Sequence, residues 1–250
     1  MSPLRLHVHA DAGALAEAVA AQLAEAASAG IAARGEAWLA LAGGSTPLAA
    51  YRRFAAMPLD WTKVQIVASD ERWVPAGHPL RNERALAEVF AAAAGVRILP
   101  LVPARADAGG FTAPATMPIG SAAVSDSSLH IAEASLAPLR HRAFDAVLLG
   151  MGSDAHVASL FPRSTPPAAL DPGGHEPVVA VTPDPLPPAA PVPRVSLTLS
   201  RLIASHALLL VITGEAKRGV LEAARTRPAL DAPVQALLAA APDLAIHWSP

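Results

Sequence analysis

Residues 148–162 read Leu148-Leu149-Gly150-Met151-Gly152-Ser153-Asp154-Ala155-His156-Val157-Ala158-Ser159-Leu160-Phe161-Pro162. The apolar run from Phe144 to Leu149 predicts a buried strand. Gly150 and Gly152 suit a sharp turn at its carboxyl end, the edge of an open parallel α/β sheet where ligands bind. An Asp and a His, two residues apart, follow on that turn. A histidine beside a carboxylate at such an edge is suited to general-base work.

Two more strand ends extend the pattern. Trp38 to Ala42 is apolar and runs into Gly43-Gly44-Ser45-Thr46-Pro47, then into a helical pattern. Small residues let backbone N–H groups approach a phosphate, and the following helix directs its positive end at it. Ser45 and Thr46 add hydroxyl donors. The loop has neither the Walker lysine nor the G-x-G-x-x-G spacing of dinucleotide sites. Taken alone, it fits a plain capped strand-to-helix turn equally well. Val64 to Ala68 is a further apolar strand, ending in Ser69-Asp70-Glu71-Arg72. Three charges in a row are usually a solvated cluster, but these directly follow a buried strand.

In this order the motifs resemble the 6-phosphogluconolactonase family, within the larger group that includes glucosamine-6-phosphate deaminases. The matching pieces are Gly43 to Pro47, Ser69 to Pro75, Asn82, and Asp154 to Pro162. Pro193 to Thr198, Thr213 to Lys217 and the closing Trp248-Ser249-Pro250 complete the set. The resemblance spans nearly the whole chain.

The resemblance implies hydrolysis of 6-phospho-D-glucono-1,5-lactone to 6-phosphogluconate in the oxidative pentose phosphate pathway. It places Asp70 near the reacting end of the sugar and Arg72 near the phosphate or lactone oxygens. Glu71 and Asn82 then support the loop. His156 activates water, with either Asp154 or Asp70 as its partner. The phosphate docks on Gly43, Gly44, Ser45, Thr46, Arg194 and Lys217. Lys217 sits in the first turn of a predicted helix, where a cation opposes the helix dipole, and a bound anion accounts for it. Arg offers a planar fork to phosphate oxygens and Lys a mobile point charge.

The chain departs from the family pattern at Ala155, where Gly is usual, at Val157, where Thr is usual, and at Arg81, where Ser is usual. An alanine at a positive-φ position costs about 1 kcal/mol. Two other functions share the pocket: a glucosamine-6-phosphate deaminase-like isomerase and a non-catalytic sugar-phosphate sensor. Against the isomerase, Arg72 stands where the resemblance leads one to expect Tyr in a deaminase.

Composition narrows the choices. The chain has 250 residues, 52% of them hydrophobic, enough for a sizeable core. Only 16% are charged and the net charge is −2, which argues against nucleic acid as a partner. With no cysteine, disulfides and thiolate chemistry are excluded. No signal-peptide pattern opens the chain and Ala207 to Ile212 is too short to span a bilayer, so a cytoplasmic protein without membrane contact is expected. His7 and His9 alternate on a predicted strand, but two histidines without a third ligand are a weak metal signal, and no metal or cofactor is expected. A monomer or small homo-oligomer acting on a small-molecule sugar phosphate is expected.

Strand and helix patterns alternate, predicting one α/β domain over 1–250: a Rossmann-like, mostly parallel sheet with helices on both faces. Further strands are expected at Leu4–Val8, Arg97–Leu101, Val178–Val181, Arg194–Leu199, His206–Thr213 and Leu244–Trp248. Helices are expected at Ala12–Ala29, capped by Asp11 and stopped by Gly30, and at Pro47–Met57, Arg84–Ala94, Ser127–Leu139, Glu215–Ala224 and Pro233–Ala240. Ala104 to Ser125 reads as an irregular insertion and the proline-rich Pro166 to Pro193 as surface loop.

Overall fold

The computed structural model describes residues 4–104 and 129–250. In chain order these form β1 (Leu6–Val8), α1 (Ala12–Arg34), β2 (Ala37–Leu41), α2 (Leu48–Ala55), β3 (Val64–Ala68), β4 (Asp70–Arg72), α3 (Asn82–Val89) and β5 (Arg97–Leu99). There follow α4 (His130–Leu136), β6 (Phe144–Gly150), β7 (Val178–Val181), β8 (Arg194–Leu197) and α5 (Leu199–Ile203). The chain closes with β9 (Ser205–Thr213), α6 (Glu215–Ala224), α7 (Pro233–Ala240) and β10 (Ala245–Ser249).

Seven strands make one parallel sheet in the order β1-β10-β9-β6-β2-β3-β5. Every residue of β2 and β3 is buried, so both faces of the sheet are covered, as the unbroken apolar runs require. The α/β expectation holds. Because all seven strands run the same way, the segments leaving β2, β3, β6 and β9 emerge along one edge. That edge carries the candidate site residues.

A second, antiparallel sheet of order β4-β8-β7 was not foreseen. Asp70, Glu71 and Arg72 are a short strand of this sheet rather than a charged strand end, paired with Ser196, Val195 and Arg194 respectively. Leu197 N–H also donates to Ser69 O, which stitches β8 onto the exit from β3.

Other expectations are corrected. Asp11 caps α1 by accepting from Ala14 N–H, but Gly30 does not stop the helix. It is buried in mid-helix because any side chain there would overlap the Asp145 carboxylate. The stop is Gly35, at φ 80°, whose N–H reaches Ile31 O. Asp145 is itself held by Trp38 N–H at 2.7 Å and by Arg34.

The strand expected over Arg194–Leu199 ends at Leu197, and Leu199 opens α5. The helix expected over Arg84–Ala94 is Asn82–Val89, because the Glu71 carboxylate caps it, accepting from Asn82 N–H and Glu83 N–H at 2.8 Å each. Of the expected Ala104–Ser125 insertion only Ala104 falls among the described residues, and the expected helix start at Ser127 lies outside them.

Candidate active site

Beyond β6 the chain makes a tight hairpin. Met151 and Val157 form an antiparallel bridge, Gly152 N–H donates to His156 O at 3.0 Å, and Ala155 N–H donates to Gly152 O at 3.1 Å. The turn needs a positive φ at Ala155, observed at 71°. This folds Asp154 back onto His156. Oδ1 of Asp154 lies 2.6 Å from His156 Nδ1 and accepts His156 N–H at 3.2 Å.

The choice of partner left open by the sequence is thereby made: Asp154, not Asp70, holds the imidazole. With the proton on Nδ1, Nε2 carries the lone pair. Burial pushes the Asp154 carboxyl up, but the hydrogen bond and charge of His156 outweigh it, so its pKa lies below the ordinary aspartate value. The ring of His156 packs against Phe161 at 4.3 Å.

His156 lines a cleft of about 320 Å³ at the carboxyl edge of the main sheet. Gly43, Gly44, Ser45 and Thr46, between β2 and α2, form part of the wall. Asp70, Arg72 and Arg194 form another part, from paired strands of the small sheet. Lys217, in the first turn of α6, lines it too. Of the catalytic and phosphate-binding candidates, all line this cleft except Asp154, which contacts His156 from behind; Glu71 also lies outside the lining. A larger hollow of about 590 Å³ lies between α4 and α5; His141, His175, Glu133 and Glu176 line it, but no acid–imidazole hydrogen bond forms there among the described residues.

Close packing holds the parts together. Gly43 has no room for a β-carbon because the Asn82 amide occupies that space, and Asn82 Nδ2 donates to Asp70 O at 2.7 Å. Glu71 is fully buried and receives three N–H bonds, from Arg72, Asn82 and Glu83. Burial holds its pKa above the ordinary glutamate value despite them. Its role is to brace the loop, as expected.

The cations differ in how free they are. Arg194 is 4% exposed, with Nε and Nη2 spent on Val192 O and Ala190 O at 3.1 and 2.9 Å. Burial lowers its pKa to about 10, with Asp70 opposing and Arg72 adding to the fall. Arg72 gives Nη1 to Leu80 O at 2.7 Å. Lys217 is half-buried, and burial lowers its pKa from the ordinary lysine value.

Sequence reasoning missed two features. Pro187, Ala189 and Ala190, in the stretch read as surface loop, form a small-residue wall of the cleft, tethered by Arg194. Ser159 joins its hydroxyl to Asp70 across 2.5 Å. Neither a proline-rich loop nor a lone serine carries a local signal of that kind.

His7 and His9 come to lie beside His247, with His9 Nε2 meeting His247 Nδ1 at 2.9 Å. Among the described residues, no group of three or more His, Cys, Asp or Glu is arranged to hold a metal ion. Nor is any helix among them long and apolar enough to cross a membrane.

A parallel sheet with a glycine loop, cations and a carboxylate–imidazole pair at one edge defines an α/β enzyme with a polar, cation-lined cleft. Residues 10–248 match the model of the glucosamine-6-phosphate isomerases/6-phosphogluconolactonase family, and the chain belongs to that family. It is 36% identical to a 6-phosphogluconolactonase of Rhizobium meliloti strain 1021, over 98% of each chain. It is 34% identical to one of Pseudomonas aeruginosa, covering 98% of this chain and 94% of that one. The crystal structure of a 6-phosphogluconolactonase from Shewanella baltica OS155 superposes with a TM-score of 0.83 at 28% identity, over 100% of this chain and 99% of that one.

Proposed function

We propose that this chain hydrolyses 6-phospho-D-glucono-1,5-lactone to 6-phosphogluconate, as a cytoplasmic enzyme of the oxidative pentose phosphate pathway. The observation that carries the reading is the 2.6 Å contact between Asp154 and His156, on a cleft that also holds the glycine loop and Lys217. Full-length similarity to proteins named 6-phosphogluconolactonase supports the choice of substrate.

The phosphate docks on the amides of Gly43 and Gly44, the hydroxyls of Ser45 and Thr46, Lys217 and the free edge of Arg194. This anchors the lactone carbonyl beside His156, while Asp70 accepts a hydrogen bond at the reacting end of the sugar. His156 Nε2 takes a proton from water as the water oxygen bonds to the carbonyl carbon. Asp154 holds the ring in the required tautomer and stabilises the imidazolium that forms. The tetrahedral oxyanion is met by Arg72. As it collapses, the carbonyl re-forms and the bond to the ring oxygen breaks. That oxygen leaves with the proton from His156, so the imidazole is regenerated.

The test is the decay of freshly generated 6-phosphogluconolactone below neutral pH, coupled to 6-phosphogluconate dehydrogenase, with a His156→Ala control. Wild type should accelerate decay and His156→Ala should lose about 10²- to 10⁴-fold in kcat, the usual worth of a general base. Product binding without turnover by wild type would instead identify a sugar-phosphate sensor.

A further inference from the structure

We infer that Ser159 is a positioning residue for the lactonase reaction, aiming the Asp70 carboxylate; this rests on the function proposed above. Ser159 is completely buried, three residues beyond His156 on the same loop. Its Oγ lies 2.5 Å from Asp70 Oδ2, at the short end for a hydroxyl bonded to a charged acceptor.

The backbone of Ser159 is fixed as well. Ser196 Oγ donates to Leu197 O at 3.0 Å and accepts Ser159 N–H at 3.1 Å. Ser196 is also the residue paired with Asp70 across β4 and β8. A carboxylate oxygen accepts, so the hydroxyl of Ser159 donates to Asp70.

The other oxygen of Asp70 is held more loosely, by Ser69 Oγ at 3.2 Å. Asp70 is 6% exposed and lines the cleft, so the carboxylate has one edge in the protein and little freedom left. The Ser159 bond also joins the two separate pieces of the site. Asp70 belongs to the small antiparallel sheet and His156 to the hairpin after β6. Without the hydroxyl, only the longer bond to Ser69 remains, and the aim of the carboxylate relative to His156 is loosened. A purely structural serine would contribute to folding alone, whereas a positioning serine affects the reaction step.

The experiment uses the full chain and the lactone assay. Wild-type turnover is measured first; its absence would undo the functional reading independently of Ser159. Ser159→Ala is then expected to lower kcat about 10- to 100-fold, the worth of one hydrogen bond to a charged group. KM and the affinity for 6-phosphogluconate should stay within about twofold, since the phosphate anchors are untouched. Ser196→Ala loosens the same buried cluster while leaving the bond to Asp70, and should cost less than about threefold in kcat. If Ser159→Ala does not fold, Ser159→Cys keeps the volume with a weaker donor and is held to the same criteria. A Ser159 variant that keeps kcat within twofold of wild type overturns the inference. So does a Ser196→Ala loss as large as that of Ser159→Ala.

Discussion

The imidazole of His156 rests against the Cα of Gly152 with no space for a β-carbon between them. A methyl group there would overlap Nδ1 and Cε1 of the ring, and Oδ1 of Asp154 as well. Gly152→Ala therefore has to push the acid–imidazole pair away from the turn. Displacing a catalytic group by about 1 Å costs on the order of 100-fold. The expected result is a loss of that size in kcat, with affinity for 6-phosphogluconate kept. Steady-state kinetics and calorimetry on one preparation would check both halves.

Ala155 makes the opposite prediction. Its left-handed conformation costs on the order of 1 kcal/mol relative to glycine. Its methyl is completely buried, worth about 0.8 kcal/mol, and glycine would add unfolded-chain entropy worth about 0.4–1 kcal/mol. These effects nearly cancel. Ala155→Gly should shift unfolding stability by less than about 1 kcal/mol and leave kcat within twofold. Chemical denaturation shows whether the cancellation holds; a change above about 2 kcal/mol would contradict it.

Lys217 lines the cleft half-buried, and no carboxylate pairs with it among the described residues. As a phosphate anchor it binds ground state and transition state alike. Lys217→Met should then raise KM about 10- to 100-fold and change kcat little. A fall in kcat at constant KM would place the residue in the chemistry instead.

His247 sets an acid limit on stability. Burial, with the neighbouring His7 and His9, lowers its pKa from 6.5 to about 4. The unfolded chain therefore takes up the proton more readily than the folded one. Stability is unaffected above pH 6.5 and falls as the pH drops from there towards 4, by up to about 3 kcal/mol from this residue. His247 pairs in register with His7 and accepts or donates to His9, so the edge strand β1 is where the loss is felt. Urea midpoints at pH 7 and pH 4.5 should differ more for wild type than for His247→Asn. Equal differences would refute the assignment.

Much of this was readable from side-chain pattern alone. The apolar runs at Trp38, Val64 and Phe144 gave the buried parallel strands, because a strand covered on both faces shows no alternation. Asp11 and the start of α6 after Gly214 were equally plain. The small sheet was not, since a three-residue strand of Asp, Glu and Arg has no apolar signature and is made by its pairing with β8. Gly30 misled because it is small for the sake of Asp145, 115 residues away in sequence, rather than for a turn. In the site, residue types and loops were legible but partnership was not. Asp154 and His156 meet only because Ala155 takes a positive φ, and Ser159 meets Asp70 across 89 residues of chain.

Arg72 and Arg194 stand directly opposite each other on β4 and β8, two like charges in a register that sheets ordinarily avoid. Each is tied to backbone carbonyls, so neither can swing away cheaply. On the proposed function, a phosphorylated substrate reaching both would offset the repulsion and, binding only the folded chain, would add about 2.7 kcal/mol of stability at a hundred times its dissociation constant. Resistance to heat and proteolysis would then rise with the supply of the sugar phosphate.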